Sequence, residues 1–413
     1  MYSVTRNQKY DFAGESYSST YPNLHKYPAT MLPQIGMELF KELGIKGGKL
    51  LDPYCGSGSS FTVGLDRGLS EMHGFDINPL AILICKAKFT KIDLNLTKML
   101  RQELRNSVYE FVKKEENINS IRTPIFFNIN YWFSKEISLN LAILKQSINQ
   151  FQNEDIERLF LLAFSETVRE CSYTRNEEFK LYRMKPENIL KFNPDVFGIY
   201  FQKLNRVIND YEEYYYPKLN DASIELDYKK FQKKDNYYDV VLTSPPYGDS
   251  KTTVAYGQFS MFSNEWLGIR HARRIDGILM GGKTVRYNYK KGLIKDHIDT
   301  IVKESKKRAL EVSSYYIDLD DSIKEVAISL RRGGIVIYVV GNRTVKGIQL
   351  PTDQFIAEKF EENGFKHLFT YERLLGNKSM PLQNSPTNVA GAKKSTMTQE
   401  FIVVCEKMQG GQN

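Results

Sequence analysis

A glycine-rich turn between a strand and a helix constrains the fold of this 413-residue chain more than any other feature. The turn, Asp52–Gly58, follows a short apolar run, and its glycines at 56 and 58 permit a tight bend and a close approach of a ligand. The next apolar strand, Glu71–Phe75, ends at Asp76, eighteen residues after Gly58. An acidic residue at that place is suited to bind ribose hydroxyls. The third glycine of the dinucleotide fingerprint is missing, which disfavours pyrophosphate binding.

A second turn follows the apolar run Tyr238–Thr243 and consists of Ser244, Pro245, Pro246 and Tyr247. Successive prolines donate no backbone hydrogen bond and hold φ near −65°, so the strand must stop there in a stiff, extended turn. The Ser244 hydroxyl and the Pro245 carbonyl can both accept hydrogen bonds from the amino group of a planar base, and the Tyr247 ring can stack on that base. Such turns also occur for purely structural reasons.

Strands alternate with helices along the chain, which predicts an α/β fold with a mainly parallel, doubly wound sheet. Gly333 and Gly334 are expected to end one helix as a left-handed cap. We expect strands at 48–52, 71–75, 222–226, 238–243, 335–340, 366–371 and 400–406, and helices at 318–332 and 352–363.

The two turns together resemble the motifs of S-adenosylmethionine-dependent DNA amino-methyltransferases. Asp52–Gly58 is similar to their motif I, Gly74–Pro79 to motif II, and Ser244–Tyr247 to motif IV. The resemblance implies a Rossmann-like methyltransferase sheet ending in an antiparallel hairpin, with S-adenosyl-L-methionine as cofactor. It also implies that Asp76 holds the ribose and that Ile77 packs on the adenine. By the same resemblance, the expected cofactor-binding positions of the glycine turn are Asp52, Tyr54, Gly56 and Gly58.

Two further cofactor positions follow from the same resemblance. His25–Pro33 and the segment after it look like motif X, a loop and helix that close over the methionine end, and Thr30 is placed nearest the cofactor. Asp227 follows the strand-like 222–226 and occupies the place of the motif III carboxylate. Exposed aspartates at strand ends are common, so this assignment rests on position alone.

Serine at the first position of motif IV goes mostly with cytosine N4 in the resembling family, whereas aspartate or asparagine goes mostly with adenine N6. The resemblance therefore implies an N4-cytosine methyltransferase of a type II restriction-modification system. The expected catalytic residues are Ser244, Pro245, Pro246 and Tyr247. The target base is expected to be flipped out of the duplex, because the pocket cannot reach it in the helix. Methylation at cytosine C5 needs a cysteine nucleophile beside a proline. No cysteine follows a proline in this chain, so that reaction is disfavoured.

The chain is longer than the sheet requires. The methyltransferase domain is expected at 20–90 and 221–413, interrupted by a helical insertion at 91–220 with a small core of its own. Within that insertion, Cys171–Lys185 mixes aromatic and basic residues and is either a nucleic-acid contact or a solvated loop. A second insertion, 249–317, carries 13 Lys and Arg against 7 Asp and Glu.

The basic insertion begins beside the proposed base pocket, so we expect it to recognise the target DNA. Lysine and arginine contact phosphates, and arginine is also the best reader of guanine edges. The same run of charge is also compatible with a solvated face. The candidate DNA-binding residues are Arg270, Arg273, Arg274, Lys283 and Arg286.

Composition agrees with a globular enzyme that has a phosphate-rich partner. The net charge is +8 and 41% of the residues are hydrophobic, and no run approaches the roughly 18 apolar residues of a membrane span. Four separated cysteines and five histidines without ligand spacing suggest neither disulfides nor a metal site. We expect a cytoplasmic protein that acts on double-stranded DNA, is not bound to a membrane, and protects that DNA from a cognate restriction endonuclease encoded nearby.

Several alternatives stay open at this point. Adenine N6 is the first of them, and an RNA base methyltransferase would share the pocket chemistry. A protein glutamine methyltransferase would begin the second turn with asparagine rather than Ser244. A catalytically silent nucleic-acid binder would tolerate decay of either turn, and both are intact. A dinucleotide-dependent oxidoreductase is disfavoured by the missing glycine and by the two prolines.

Overall fold

A single mixed sheet of eight strands forms the centre of this computed structural model. The structure describes residues 2–15, 21–28, 30–114, 120–175, 179–219, 222–249, 256–375, 383–384, 394–395 and 398–409. In chain order the strands are β1 (Val4–Arg6), β2 (Lys49–Asp52), β3 (Glu71–Asp76), β4 (Ser223–Tyr228), β5 (Tyr238–Thr243), β6 (Leu330–Val340), β7 (Phe365–Leu374) and β8 (Gln399–Lys407).

The strand order across the sheet is β1-β7-β8-β6-β5-β2-β3-β4. Strands β2 to β6 are mutually parallel, whereas β8 runs antiparallel to both β6 and β7. From β2 the chain proceeds through β3 to β4 on one side, and from β5 it proceeds to β6 on the other. This doubly wound topology with a closing antiparallel hairpin confirms the predicted fold class.

Eleven helices of eight residues or more are present in the described part of the chain. They are α1 (Pro33–Glu42), α2 (Ser59–Asp66), α3 (Pro79–Phe89), α4 (Leu94–Val112), α5 (Lys135–Ile148), α6 (Glu154–Glu170), α7 (Val196–Asp210), α8 (Tyr256–Trp266), α9 (Ile294–Glu304), α10 (Lys306–Ser329) and α11 (Thr352–Glu362). None of the helices that the structure describes is both long enough and apolar enough to cross a bilayer.

Alternate residues of the central strands enter two hydrophobic clusters, one on each face of the sheet. Leu50 and Val240 belong to the first cluster, and their neighbours Leu51 and Val241 belong to the second. Both faces of the parallel strands are therefore covered, as expected for a sheet with crossover helices on both sides. Burial on both faces explains why the sequences of these strands are almost continuously apolar.

The insertion at 91–220 does form helices, α4 to α7, but the prediction that it has a core of its own is wrong. Buried side chains of α5, α6 and α7, such as Leu141, Phe160 and Leu204, join the same cluster as Leu50 and Phe61 under the sheet. Within Cys171–Lys185, a β-bridge joins Thr174 to Arg183. Residues 176–178 of that stretch and residues 250–255 of the basic insertion lie outside the described residues.

The helix predicted at 318–332 has different bounds in the structure. It is α10, which begins at Lys306, where the Ser305 side chain accepts from the Arg308 N–H at 3.3 Å, and it ends at Ser329. Gly333 does not cap it. With φ of +73°, Gly333 lies inside β6, at a bulge where one residue of β5, Asp239, lies opposite four residues of β6, 331–334. A glycine with positive φ serves a strand bulge as well as a helix cap.

Candidate active site

A large cavity opens at the edge of the sheet where β2, β3 and β5 end. It encloses about 1170 Å³ of space, including the open solvent at its mouth. The chain leaves the adjacent strands β2 and β5 in opposite directions, so the cavity lies at the topological switch point where doubly wound sheets bind ligands. The sequence-predicted residues that line it are Thr30, Asp52, Tyr54, Gly56, Asp76, Ile77, Ser244 and Pro246.

Asp76 lies at the end of β3, and each of its two carboxylate oxygens accepts a hydrogen bond from a different backbone segment. Its Oδ2 accepts from the Gly56 N–H at 3.0 Å and its Oδ1 accepts from the Asn78 N–H at 2.7 Å. Gly56 adopts a left-handed backbone conformation here, with a φ of +49°. Burial raises the pKa of Asp76 to about 6, opposed by these two hydrogen bonds. The carboxylate thus fixes the glycine turn, and Asp76 also lines the cavity.

Asp52 is buried at the end of β2 and joins the glycine turn to β5. Its carboxylate accepts from the Ser60 hydroxyl at 2.5 Å, from the Thr243 hydroxyl at 2.6 Å and from the Tyr54 N–H at 3.1 Å. Burial raises its pKa to about 6. These contacts make Asp52 chiefly a brace between the two turns. Its predicted direct contact with a cofactor stays a prediction.

Gly58 does not line the cavity, although it belongs to the same turn. Its φ is +85°, and a Cβ at this position would lie 2.5 Å from the Phe89 ring and 3.0 Å from the Cys85 Sγ. Both the backbone conformation and the packing therefore require glycine. A direct contact between Gly58 and a cofactor also stays a prediction.

Ser57 is a lining residue that the sequence analysis did not single out. Its side chain is buried, and its hydroxyl has no hydrogen-bond partner among the described residues. A buried polar group without a partner is costly unless a ligand or water supplies one. Its position in the glycine turn could have identified it as a site residue, because a serine between two turn glycines can present its hydroxyl to a ligand.

The second turn presents Ser244 and Pro246 to the cavity, whereas Pro245 and Tyr247 are not lining residues. The Tyr315 hydroxyl donates to the Pro246 carbonyl at 2.7 Å, which ties the turn to α10. The Pro245 carbonyl accepts no hydrogen bond from the described residues. Tyr247 is half-buried and packs against the cluster on the second face of the sheet. The Ser244 hydroxyl therefore belongs to a residue that lines the cavity, whereas a contact between the Pro245 carbonyl and a substrate stays a prediction.

Asp227 lies on β4, outside the cavity, and its carboxylate pairs with the Lys229 ammonium at 3.0 Å. The residues after the strand, Lys229, Lys230 and Phe231, line the cavity instead. The Phe231 ring packs edge-on against Phe75, with ring centroids 5.1 Å apart. This segment could not be predicted as part of the site, because no periodicity or motif marks it in the sequence. The assignment of Asp227 as a cofactor residue stays a prediction.

The opposite wall of the cavity is acidic and belongs to α10. Asp318, Asp321 and Glu325 line it, together with Ser322, whose hydroxyl bonds to the Tyr54 hydroxyl. With Asp52 and Asp76, five carboxylates and two lysines line the cavity within the described chain. Such a lining favours a cationic ligand over a pyrophosphate.

Three aliphatic side chains of the basic insertion, Ile278, Leu279 and Met280, also line the cavity. The candidate DNA-binding residues flank this segment and are exposed, which places a basic surface beside the mouth. Arg273 has internal contacts, because its guanidinium pairs with Glu265 at 2.7 Å and donates to the Phe127 carbonyl at 2.6 Å. The flanking residues on this surface are Arg270, Arg273, Arg274, Lys283 and Arg286.

The donor set fits S-adenosyl-L-methionine. The Ser57 hydroxyl lacks a partner in the described chain, the Gly56 backbone admits a close approach, and Asp76 can accept from ribose hydroxyls. Thr30 and Ile77 line the same space. The acidic wall suits the positive sulfonium.

Cofactor affinity is expected to fall as the pH is lowered through about 6. Burial raises the pKa of Asp76 to about 6, and a protonated carboxyl is a weaker acceptor for ribose hydroxyls. Because the ionised fraction falls about tenfold between pH 7 and pH 5, affinity should fall by about the same factor. Calorimetric titration with S-adenosyl-L-methionine measures it. Asp76→Asn should bind weakly and show a smaller step near this pH, because it retains Asp52, whose pKa burial also raises to about 6. A flat wild-type profile would contradict the assignment.

Comparison with known proteins gives two curated relatives, while no protein-family model matches the chain. The type II methyltransferase M.MvaI of Kocuria varians is 38% identical over 96% of this chain and 93% of its own length. The type II methyltransferase M.MjaII of Methanocaldococcus jannaschii is 24% identical over 46% of this chain and 34% of its own. Among solved structures, the rRNA methyltransferase aviRa of Streptomyces viridochromogenes covers 97% of this chain and 96% of its own at 11% identity, with a TM-score of 0.32. On the identity and coverage of the first relative, the chain belongs to the type II DNA methyltransferases, and its cofactor is S-adenosyl-L-methionine.

Proposed function

We propose that this protein methylates the N4 amino group of cytosine at a specific site in double-stranded DNA. The observation that carries the proposal is the shared cavity: Ser244 lines the same space as Gly56 and Asp76. A base held by Ser244 would therefore lie beside the cofactor. Protection of the site from a cognate restriction endonuclease is the corresponding biological role, with no stable complex between the two enzymes implied.

The chemistry proposed for the second turn is orientation of a weak nucleophile. The lone pair of an exocyclic amine is delocalised into the ring, so the nitrogen attacks poorly while it stays planar. Hydrogen bonds from the amine to the Ser244 hydroxyl oxygen and the Pro245 carbonyl favour a pyramidal nitrogen. Its lone pair can then turn toward the methyl donor. Catalysis of this kind depends on positioning and on preorganised electrostatics, without a covalent enzyme intermediate.

The bound cofactor supplies an electrophilic methyl group on a positively charged sulfur. The chain's own contribution is to hold that group in line with the amine. Asp76 and the Gly56 backbone are proposed to fix the ribose and methionine ends, while Ile77 packs on the adenine. The carboxylates of α10 favour the cationic donor electrostatically.

Cytosine N4 is preferred to adenine N6 because of Ser244. A hydroxyl at the first position of this turn goes mostly with cytosine in the resembling family, and the rest of the site does not distinguish the two bases. Adenine N6 methylation is therefore the second candidate. An RNA base is a weaker one, since the sequence carries no recognisable RNA-binding module.

The target base is proposed to leave the duplex, because an amine inside the stack cannot reach Ser244. Tyr247 is the stacking ring proposed from the resemblance, but it does not line the cavity. Two further rings, Tyr27 and Tyr256, line the cavity and lie nearly parallel, with centroids 6.0 Å apart and an interplanar angle of 29°. These rings give an extruded base additional aromatic surface beside the cofactor.

The exposed basic surface beside the mouth is the proposed DNA contact. We expect Arg274→Ala and Arg286→Ala to weaken DNA binding and to lower the salt dependence of binding by about one counterion each. Cofactor affinity should be unchanged, because neither residue lines the cavity. Fluorescence anisotropy with a labelled duplex at several salt concentrations measures both quantities.

The matched control for these variants is Arg331→Ala. Arg331 is exposed and pairs with Asp239 near the start of β6, at the opposite edge of the sheet from the cavity. This variant should bind DNA as the wild type does. Equal losses in all three variants would show that the surface beside the mouth has no special role. Loss of cofactor binding in Arg274→Ala or Arg286→Ala would show instead that these arginines stabilise the fold.

The proposed reaction is tested by incubating the protein with plasmid and cofactor labelled in the methyl group, then separating the nucleosides. Label in N4-methyldeoxycytidine is the expected result. Label in N6-methyladenine would show that the target base is adenine and not cytosine. Label in added RNA alone would overturn DNA as the substrate. A cytoplasmic location remains a prediction that goes with this role.

A further inference from the structure

A chain of hydrogen bonds leads from the second turn to the closing hairpin of the sheet. The Ser244 hydroxyl lies 3.3 Å from the Tyr247 hydroxyl, which in turn lies 3.0 Å from Glu400 Oε1. The other carboxylate oxygen, Oε2, accepts from the Arg373 guanidinium at 2.6 Å. Arg373 belongs to β7 and Glu400 to β8, so two distant strands meet the catalytic turn here.

The chemistry of these groups fixes the direction of every hydrogen bond. Arginine only donates and an ionised carboxylate only accepts, so Tyr247 must donate its single proton to Glu400. The phenol oxygen is then left as an acceptor, and Ser244 must donate to it. Both lone pairs of the Ser244 oxygen consequently remain available as acceptors, and Ser244 lines the cavity. An amine N–H needs such an acceptor.

Burial of the charged groups limits competition from water and so preserves the direction of these hydrogen bonds. The Arg373 side chain is 3% exposed and that of Glu400 is 11% exposed. Arg373 is itself held by the Tyr10 carbonyl, which accepts from its Nε at 2.7 Å. Burial, and then the charge of Glu400, raise the pKa of Tyr247 well above its ordinary value, so the phenol keeps its proton. A buried, fully paired network of this kind has one preferred arrangement.

We propose that Arg373, Glu400 and Tyr247 are positioning residues that aim the Ser244 hydroxyl hydrogen away from the substrate, so that its oxygen accepts from the base amine. This inference rests on the proposed function, because it assigns the relay to the same acceptor atom. It gives Tyr247 a role for its hydroxyl that is separate from the stacking role proposed for its ring. The two roles make different predictions for removal of the hydroxyl alone.

The test is a double-mutant cycle with Tyr247→Phe, Ser244→Ala and the combined variant. The single-turnover methylation rate on a duplex is measured for each, with cofactor affinity determined separately. Tyr247→Phe keeps the ring and should lower the rate about tenfold without changing cofactor affinity. Because Tyr247 acts through Ser244, the combined variant should be no slower than Ser244→Ala. Tyr289→Phe is the matched control, since it removes another buried tyrosine hydroxyl that donates to a carboxylate, at 3.0 Å, and it should leave the rate unchanged.

The possible failures are distinguishable. A wild-type rate for Tyr247→Phe would overturn the relay, as would a combined variant whose loss equals the product of the two single losses. Either result leaves the proposed function intact if Ser244→Ala is slow. A wild-type rate for Ser244→Ala would overturn the proposed function itself.

Discussion

Replacement of Ser244 by alanine is expected to lower the methylation rate by about a hundredfold while cofactor affinity stays at the wild-type value. Ser244 lines the cavity and supplies the proposed acceptor for the amine, and the substitution removes its hydroxyl. Removal of one preorganised hydrogen-bonding group from an active site typically costs about 10²–10³ in rate, or about 3–4 kcal/mol of barrier. The fold should tolerate the change, because Ser244 lies after β5 and alanine is smaller.

Single-turnover rates with a saturating duplex measure this loss, and calorimetry with S-adenosyl-L-methionine measures the affinity. Ser313→Ala is a suitable control: it removes a buried serine hydroxyl that accepts from the Tyr289 N–H at 3.0 Å, and Ser313 does not line the cavity. It should methylate at the wild-type rate. Wild-type turnover in Ser244→Ala would place the amine acceptor elsewhere.

Replacement of Asp76 by alanine is expected to abolish useful cofactor binding. The carboxylate is proposed to accept from ribose hydroxyls, and each hydrogen bond to a charged group contributes about 1.5–3 kcal/mol. Two such bonds correspond to roughly a 10²–10⁴-fold loss of affinity. The substitution also removes the acceptor for the Gly56 and Asn78 N–H groups, so the glycine turn loses its anchor.

Calorimetry with S-adenosyl-L-methionine measures this affinity, and thermal unfolding checks that the variant is folded. The control is Asp296→Ala, whose carboxylate is exposed on α9 and pairs with Lys295 at 3.6 Å. It should bind the cofactor as the wild type does. A folded Asp76→Ala variant with unchanged affinity would remove Asp76 from the cofactor site.

The sequence was most informative where a local pattern has one structural outcome. Motif order and apolar strands predicted the parallel sheet, and the ends of its strands bring Asp52, Asp76 and Ser244 to one cavity. The family and cofactor predictions are confirmed by the relative at 38% identity. Each of these inferences depends on residues close together in the chain and on the rule that parallel strands end at one edge.

Long-range contacts could not be predicted in the same way. Glu400 lies 153 positions after Tyr247 and reaches it only because β8 inserts between β6 and β7. Gly333 failed as a helix cap because positive φ suits a bulge equally well. The strand Val4–Arg6 was missed because three residues carry no measurable period. The helical insertion was expected to have its own core, but amphipathic helices do not specify which apolar surface covers them.

Cytosine N4 methylation through Ser244 can be tested by mass spectrometry of nucleosides from a host without base methylation that expresses either the wild-type protein or Ser244→Ala. We expect N4-methyldeoxycytidine in DNA from wild-type cells and its near absence in DNA from cells with the variant. N6-methyladenine in place of the modified cytosine, or equal amounts of N4-methyldeoxycytidine in both, would contradict it.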